Sequence, residues 1–87
     1  MTSKTLFITG ASSGIGAATA HAAAHAGWNV ALFARNREKL GALANEIGPD
    51  RALALPGDVT RFDDISAAIE RAATHFQGID AVFANAG

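Results

Sequence analysis

The 87 residues predict an α/β fold: a parallel sheet with helices on both faces, in the order β-α-β-α-β-α-β. Three observations predict it. Short β-branched and aromatic runs alternate with helical patterns of roughly 10–15 residues, which is the signature of linked βαβ units. Glycines close each helical pattern. A glycine-rich turn separates the first strand from the first helix, as at the mouth of a doubly wound sheet. The strand order expected of such a half-sheet is 3-2-1-4, with residues 1–87 forming one partial domain.

Each element has its own warrant. Thr5 to Thr9, TLFIT, is a β-branched and aromatic strand. Ile15 to Ala26 is alanine-rich and helical, with Gly27 as its stop. Trp28 to Phe33, WNVALF, reads as the second strand, Trp28 being a packing residue. Asn36 is placed to cap a second helix, in which Leu40, Leu43, Ala44 and Ile47 form one apolar stripe. Gly48 and Pro49 end it. Arg51 to Leu55, RALAL, is a short third strand. Thr60 and Asp63 have the spacing of a capping box, with Asp in place of the usual Glu or Gln. Ile65, Ala68, Ile69, Ala72 and Phe76 then line one face of a third helix that Gly78 ends. Ile79 to Ala84, IDAVFA, is the fourth strand, and NAG follows it. Right-handed crossovers place the first two helices on one face and the third on the other. Phe7, Phe33, Phe62, Phe76 and Phe83 are expected in or near the core.

Composition excludes several classes. Apolar residues make up 49% and charged residues 17%, too apolar for a disordered chain. A net charge of −1 gives no field that favours nucleic acid or an anionic membrane. There is no cysteine, hence no disulfide framework and no thiolate metal site. The start, MTSKTLFITG, lacks the long apolar segment of a signal peptide, and no run approaches the ~18 apolar residues of a membrane span. A cytoplasmic protein is expected. His21 and His25 are four apart on the first helix, but a zinc protease needs a glutamate at position 22 and this chain has Ala22. Both are expected at the surface or half-buried, on the flank of a face made by Ile15, Ala22 and Ala26, with no metal. His75 complements the dipole at the end of the third helix.

The chemistry lies in the glycine turn. Gly10 must leave the strand sharply, which favours a residue free to adopt positive φ. Gly14 keeps side chains away from an approaching phosphate, and Gly16 lets the helix pack closely on the sheet. The helix N-terminus, at about half a positive charge with unpaired N–H donors, suits a pyrophosphate. Ser12 and Ser13 add hydroxyl donors to phosphate or ribose. A P-loop is disfavoured, because no Lys-Ser/Thr pair follows the glycines.

TGASSGIG, Thr9 to Gly16, strongly resembles the short-chain dehydrogenase/reductase family, whose spacing differs from G-x-G-x-x-G. GDV, Gly57 to Val59, after the third strand, and NAG, Asn85 to Gly87, after the fourth, support the resemblance along the whole chain. It implies a Rossmann-type, three-layer fold, of which this is the N-terminal, cofactor-binding half, with Gly10, Ser12, Ser13, Gly14, Ile15 and Gly16 around the pyrophosphate. Asp58 would accept from the adenine amino group with the Val59 backbone alongside, and Asn85, Ala86 and Gly87 would lie by the adenosine ribose. Ala84 stands where the family often has a second asparagine, which removes one strand-bridging hydrogen bond.

At the end of the second strand a carboxylate would favour NAD(H). This chain has Ala34 and then Arg35, whose guanidinium suits a 2′-phosphate. The resemblance thus implies NADP(H) over NAD(H), and hydride transfer with an alcohol or carbonyl substrate. Arg37 and Lys39 read as a solvated first helical turn. The family's proton-transfer residue is a tyrosine, with a lysine four residues later and a serine in support. The sequence contains no tyrosine, so no residue here is assigned as catalytic, and the chain alone is expected to be inactive. A non-catalytic module that binds nucleotide, or assembles through an open sheet edge, is the alternative. Strand four is expected to be that edge, so self-association or a family-type homo-oligomer is anticipated.

Overall fold

Apolar residues at alternate positions of the strands divide into two sets that face opposite sides of the sheet. The computed structural model describes residues 3–85. In it β1 (Thr5–Thr9), α1 (Gly14–His25), β2 (Asn29–Ala34), α2 (Arg37–Ile47), β3 (Ala52–Pro56), α3 (Phe62–Phe76) and β4 (Ala81–Ala84) follow in that order. The sheet is parallel, ordered β3-β2-β1-β4. Phe7 lies between Ala31 of β2 and Val82 of β4 in register. This is the predicted topology.

One core joins Ile8, Val30, Leu32, Ala34 and Ala52 of the sheet to Ala20 of α1 and to Leu40 and Leu43 of α2. The other joins Phe7, Ala31, Phe33 and Leu55 to Ala68 and Ala72 of α3. The helices therefore cover opposite faces as expected. The Phe7 and Phe33 rings stack at 6.0 Å within the second core, a geometry that adds to their area burial. Asn36 caps α2, its Oδ1 accepting from Lys39 N–H at 3.0 Å.

Four local expectations change. Helix α1 buries Gly16 and Ala20, while Ile15 is 68% exposed and Ala22 and Ala26 face solvent. The smallest side chains take the sheet side because they let the helix approach most closely. Phe62 is 81% exposed at the first position of α3, outside the core. The Thr60–Asp63 capping box does not form. Arg61 holds the cap position without a side-chain bond, the Thr60 hydroxyl turns back to Asp58 Oδ1 at 2.7 Å, and Asp64 reaches the Asp58 N–H at 2.9 Å. At the other end of α3, Gln77 takes the left-handed turn at φ 64 ahead of Gly78. His21 pairs with Glu46 Oε1 across α1 and α2 at 3.2 Å, and both side chains are exposed. No helix among the described residues is long and apolar enough to cross a membrane.

Candidate cofactor site

The site begins where β1 runs out. Gly10 turns the chain at φ 64, and a Cβ there would collide with the backbone carbonyl of Asn85. A Cβ on Gly16 would collide with the Gly10 carbonyl and lie 2.9 Å from Asn85 Nδ2. Gly14 is different: no described atom lies within 4 Å of where its Cβ would be. Two glycines thus allow the backbone to close in on itself, and the third leaves open space at the helix mouth.

Ser13 occupies the N-cap of α1 at φ −116 and ψ 150, but its side chain makes no capping bond. The hydroxyl donates instead to the Gly10 carbonyl at 3.2 Å. The donors of the first turn, Gly14 to Gly16, are left without a side-chain acceptor among the described residues. Such a terminus offers partial positive charge and aligned N–H groups to an anion.

Asn85 braces this turn. Its N–H donates to Thr9 Oγ1 at 3.0 Å, and its side-chain amide donates to the Gly10 carbonyl at 3.4 Å. Ala86 and Gly87 lie outside the described residues.

The facing wall comes from the ends of β2 and β3. Gly57 N–H donates to the Ala34 carbonyl at 2.9 Å, and Ala11 N–H to the Phe33 carbonyl at 3.2 Å, which ties the three strand ends together. Asp58 Oδ1 accepts from both the N–H and the hydroxyl of Thr60, at 2.9 and 2.7 Å. Those two bonds hold the Asp58 carboxyl below its ordinary range, and the Arg35 and Arg61 guanidinium groups act in the same direction.

Between the walls is a cavity of about 340 Å³. Of the residues predicted from sequence, Gly10, Ser12, Ser13, Arg35, Val59 and Asn85 line it. Gly14, Ile15 and Gly16 form the adjoining first turn of α1, and the Asp58 carboxylate sits outside the lining, on Thr60. Phe33, Ala34, Asn36 and Gly57 also line the cavity and were not named as site residues from sequence. Gly57 was visible in the GDV segment. Phe33 carried only a core signal, because strand periodicity does not reveal that its ring extends under the next strand's end. A separate groove of about 470 Å³, lined by Leu53, Glu70, Arg71, Thr74 and His75, holds none of the predicted residues.

A helix mouth free of capping side chains, a glycine with open space beside it, and a basic residue across the cavity suit a dinucleotide's phosphates. Fold and site together define a Rossmann-type nucleotide-binding unit, with the cavity at the carboxyl ends of the strands. Comparison with known proteins agrees. A family model described as short chain dehydrogenase matches residues 4–87. An uncharacterized oxidoreductase of Staphylococcus aureus is 39% identical over 87 residues, covering 100% of this chain and 38% of the relative. Among solved structures, L-sorbose reductase from Gluconobacter frateurii, complexed with NADPH and L-sorbose, superposes with a TM-score of 0.91. It is 33% identical and covers 100% of this chain and 34% of its own. The 3-ketoacyl-(acyl-carrier-protein) reductase from Brucella melitensis, complexed with NADH, gives a TM-score of 0.89 at 36% identity, over 93% of this chain and 33% of its own. The chain belongs to the short-chain dehydrogenase/reductase family, and it spans 38% of the length of that first relative.

Proposed function

We propose that this unit holds NADP(H), in preference to NAD(H), for an oxidoreductase that acts on an alcohol or carbonyl substrate. The observation that carries the reading is the position of Arg35. It lines the same cavity as Gly10, Ser12 and Ser13, at the end of β2, where a carboxylate would favour the 2′-hydroxyl of NAD(H). A guanidinium there pairs with a 2′-phosphate through charge-assisted hydrogen bonds.

The other assignments are those the family resemblance implies. The first-turn N–H groups of Gly14, Ile15 and Gly16, with the Ser12 and Ser13 hydroxyls, hold the pyrophosphate. Asp58 accepts from the adenine amino group through Oδ2, which makes no hydrogen bond among the described residues, with the Val59 backbone beside it. Asn85 bounds the ribose, and Ala86 and Gly87, outside the described residues, are assigned beside it by the resemblance alone. When bound, the nicotinamide supplies or accepts the hydride. The protein's residues here bind and orient; none moves a proton to substrate. A cytoplasmic setting belongs to the same proposal.

Calorimetric titration of NADPH and NADH into the chain tests this. Selective binding of NADPH is expected, and Arg35→Ala is expected to remove roughly tenfold or more of that preference, about 1.4 kcal/mol. Equal affinities in the wild type would overturn the NADP(H) reading. The second reading is a module that binds nucleotide without turnover. An NADPH-oxidation assay of the whole protein on a panel of carbonyl compounds separates the two.

A further inference from the structure

Gly57 and Phe33 occupy one space. A Cβ on Gly57 would lie 2.5 Å from Phe33 Cε1, 2.8 Å from Cζ and 3.3 Å from Asp64 Cβ. The ring cannot retreat. It is 1% exposed, stacked on Phe7, and enclosed with Leu55, Ala68 and Ala72 in the core under α3. Interiors packed to this density transmit a clash instead of absorbing it. The segment carrying Gly57 is therefore the part that yields. It is tied at Gly57 N–H to Ala34 and at Asp58 N–H to Asp64, so a push at residue 57 moves the stretch that carries Asp58 and Val59. Both Phe33 and Gly57 line the cavity, and Val59 is on the same wall.

We propose that Phe33 and Gly57 are a size-matched pair of positioning residues that sets the width of the adenosine end of the cavity. The proposal rests on the nucleotide-binding reading above. Phe33 acts from beneath, through the backbone at 57. The glycine is required by the bulk of the ring and not by its dihedral angles, since its φ lies outside the left-handed region. It follows that residue 57 tolerates a side chain only when residue 33 is made smaller. Affinity for the adenosine portion of the ligand then follows the sum of the two volumes.

The experiment is a double-mutant cycle with Gly57→Ala and Phe33→Leu, and Gly41→Ala as control, since a Cβ at Gly41 on α2 meets no described atom within 4 Å. The probe is 2′,5′-ADP, followed by calorimetry, with thermal melting in parallel. Gly57→Ala is expected to weaken 2′,5′-ADP roughly tenfold and the double variant to recover most of that loss, a coupling expected of residues in contact. Gly41→Ala leaves affinity unchanged. Recovery of melting temperature without recovery of affinity overturns the proposal, because the pair would then be structural only. Additive losses overturn it as well. A wild-type chain that binds neither NADPH nor 2′,5′-ADP overturns the cofactor reading and the pair's part in binding with it. The melting cycle then distinguishes that failure from a misread packing contact.

Discussion

At the residue scale, Asp58 carries a clear electrostatic perturbation. Its carboxyl is held below the ordinary aspartate value of about 3.9 chiefly by the two Thr60 bonds. A group with a lowered folded pKa contributes stability above its unfolded pKa and loses it as pH falls through the folded value. The Asp58 contribution is thus complete at neutral pH and disappears only in acid below about pH 4. Thr60→Val should move the Asp58 titration midpoint upward in carboxyl-detected NMR, and Thr60→Ser should return it. The backbone N–H bond, the larger cause, survives in the valine variant, so an unmoved midpoint would reject the hydroxyl's share. The same local bonds explain why the capping box failed. Thr60 had two acceptors within reach, its own helix's carboxylate and the aspartate two residues earlier, and sequence spacing gave no means to rank them.

At the element scale, α1 is the informative helix. Its first turn carries no acidic residue and no side-chain cap, which leaves donors open that a helix normally satisfies. This is a local stability cost at the place where a phosphate is proposed to sit. Ser13→Asp should satisfy those donors with a carboxylate, raise the melting temperature by the equivalent of about 1 kcal/mol, and abolish NADPH binding. A variant that gains stability and keeps its affinity would show that the first turn is not the phosphate site. Much of the element pattern was legible in sequence. The stripe of α2, the stripe of α3 apart from Ile69, which is 39% exposed, the Asn36 cap and the βαβ alternation all depend on local spacing, and they lie where spacing put them, within a residue or two at the ends. The buried side of α1 was not legible. Ala, Gly and Ile around that helix offer little contrast, and the close approach of Gly16 to the Gly10 carbonyl, a tertiary fact, decides which side goes in. Phe62 misleads for a related reason: the helix starts one residue later than the cap spacing suggested, so Phe62 falls on the solvent side of the first turn.

At the scale of the whole molecule, the two faces are unequally covered. On the α3 side, Phe7, Phe33 and Leu55 are buried, while Val82 of β4 is 61% exposed and Ala84 is also open. Among the described residues β4 pairs only with β1, so its outer edge presents free backbone groups. Self-association through that strand is the expected behaviour of the chain. Light scattering should show a mass that rises with concentration, and Val82→Lys should lower it toward the monomer. A monomer at every concentration would count against association through this edge.

The brace between Asn85 and the glycine turn has a consequence in time. Thr9 and Gly10 meet Asn85 across 76 and 75 positions of sequence, and Gly10 and Gly16 both close against that same residue. Contacts so distant along the chain form late, after the intervening loops have been closed. During synthesis, which runs from the N-terminus at about 5–20 residues per second, the turn emerges early and then waits for its partner. Until β4 docks, the Ala11–Phe33 and Ser13–Gly10 bonds tie the turn, but the contacts of Asn85 with Thr9 and Gly10 are missing. The proposed phosphate site is encoded in the turn after β1 and is completed only when β4 arrives.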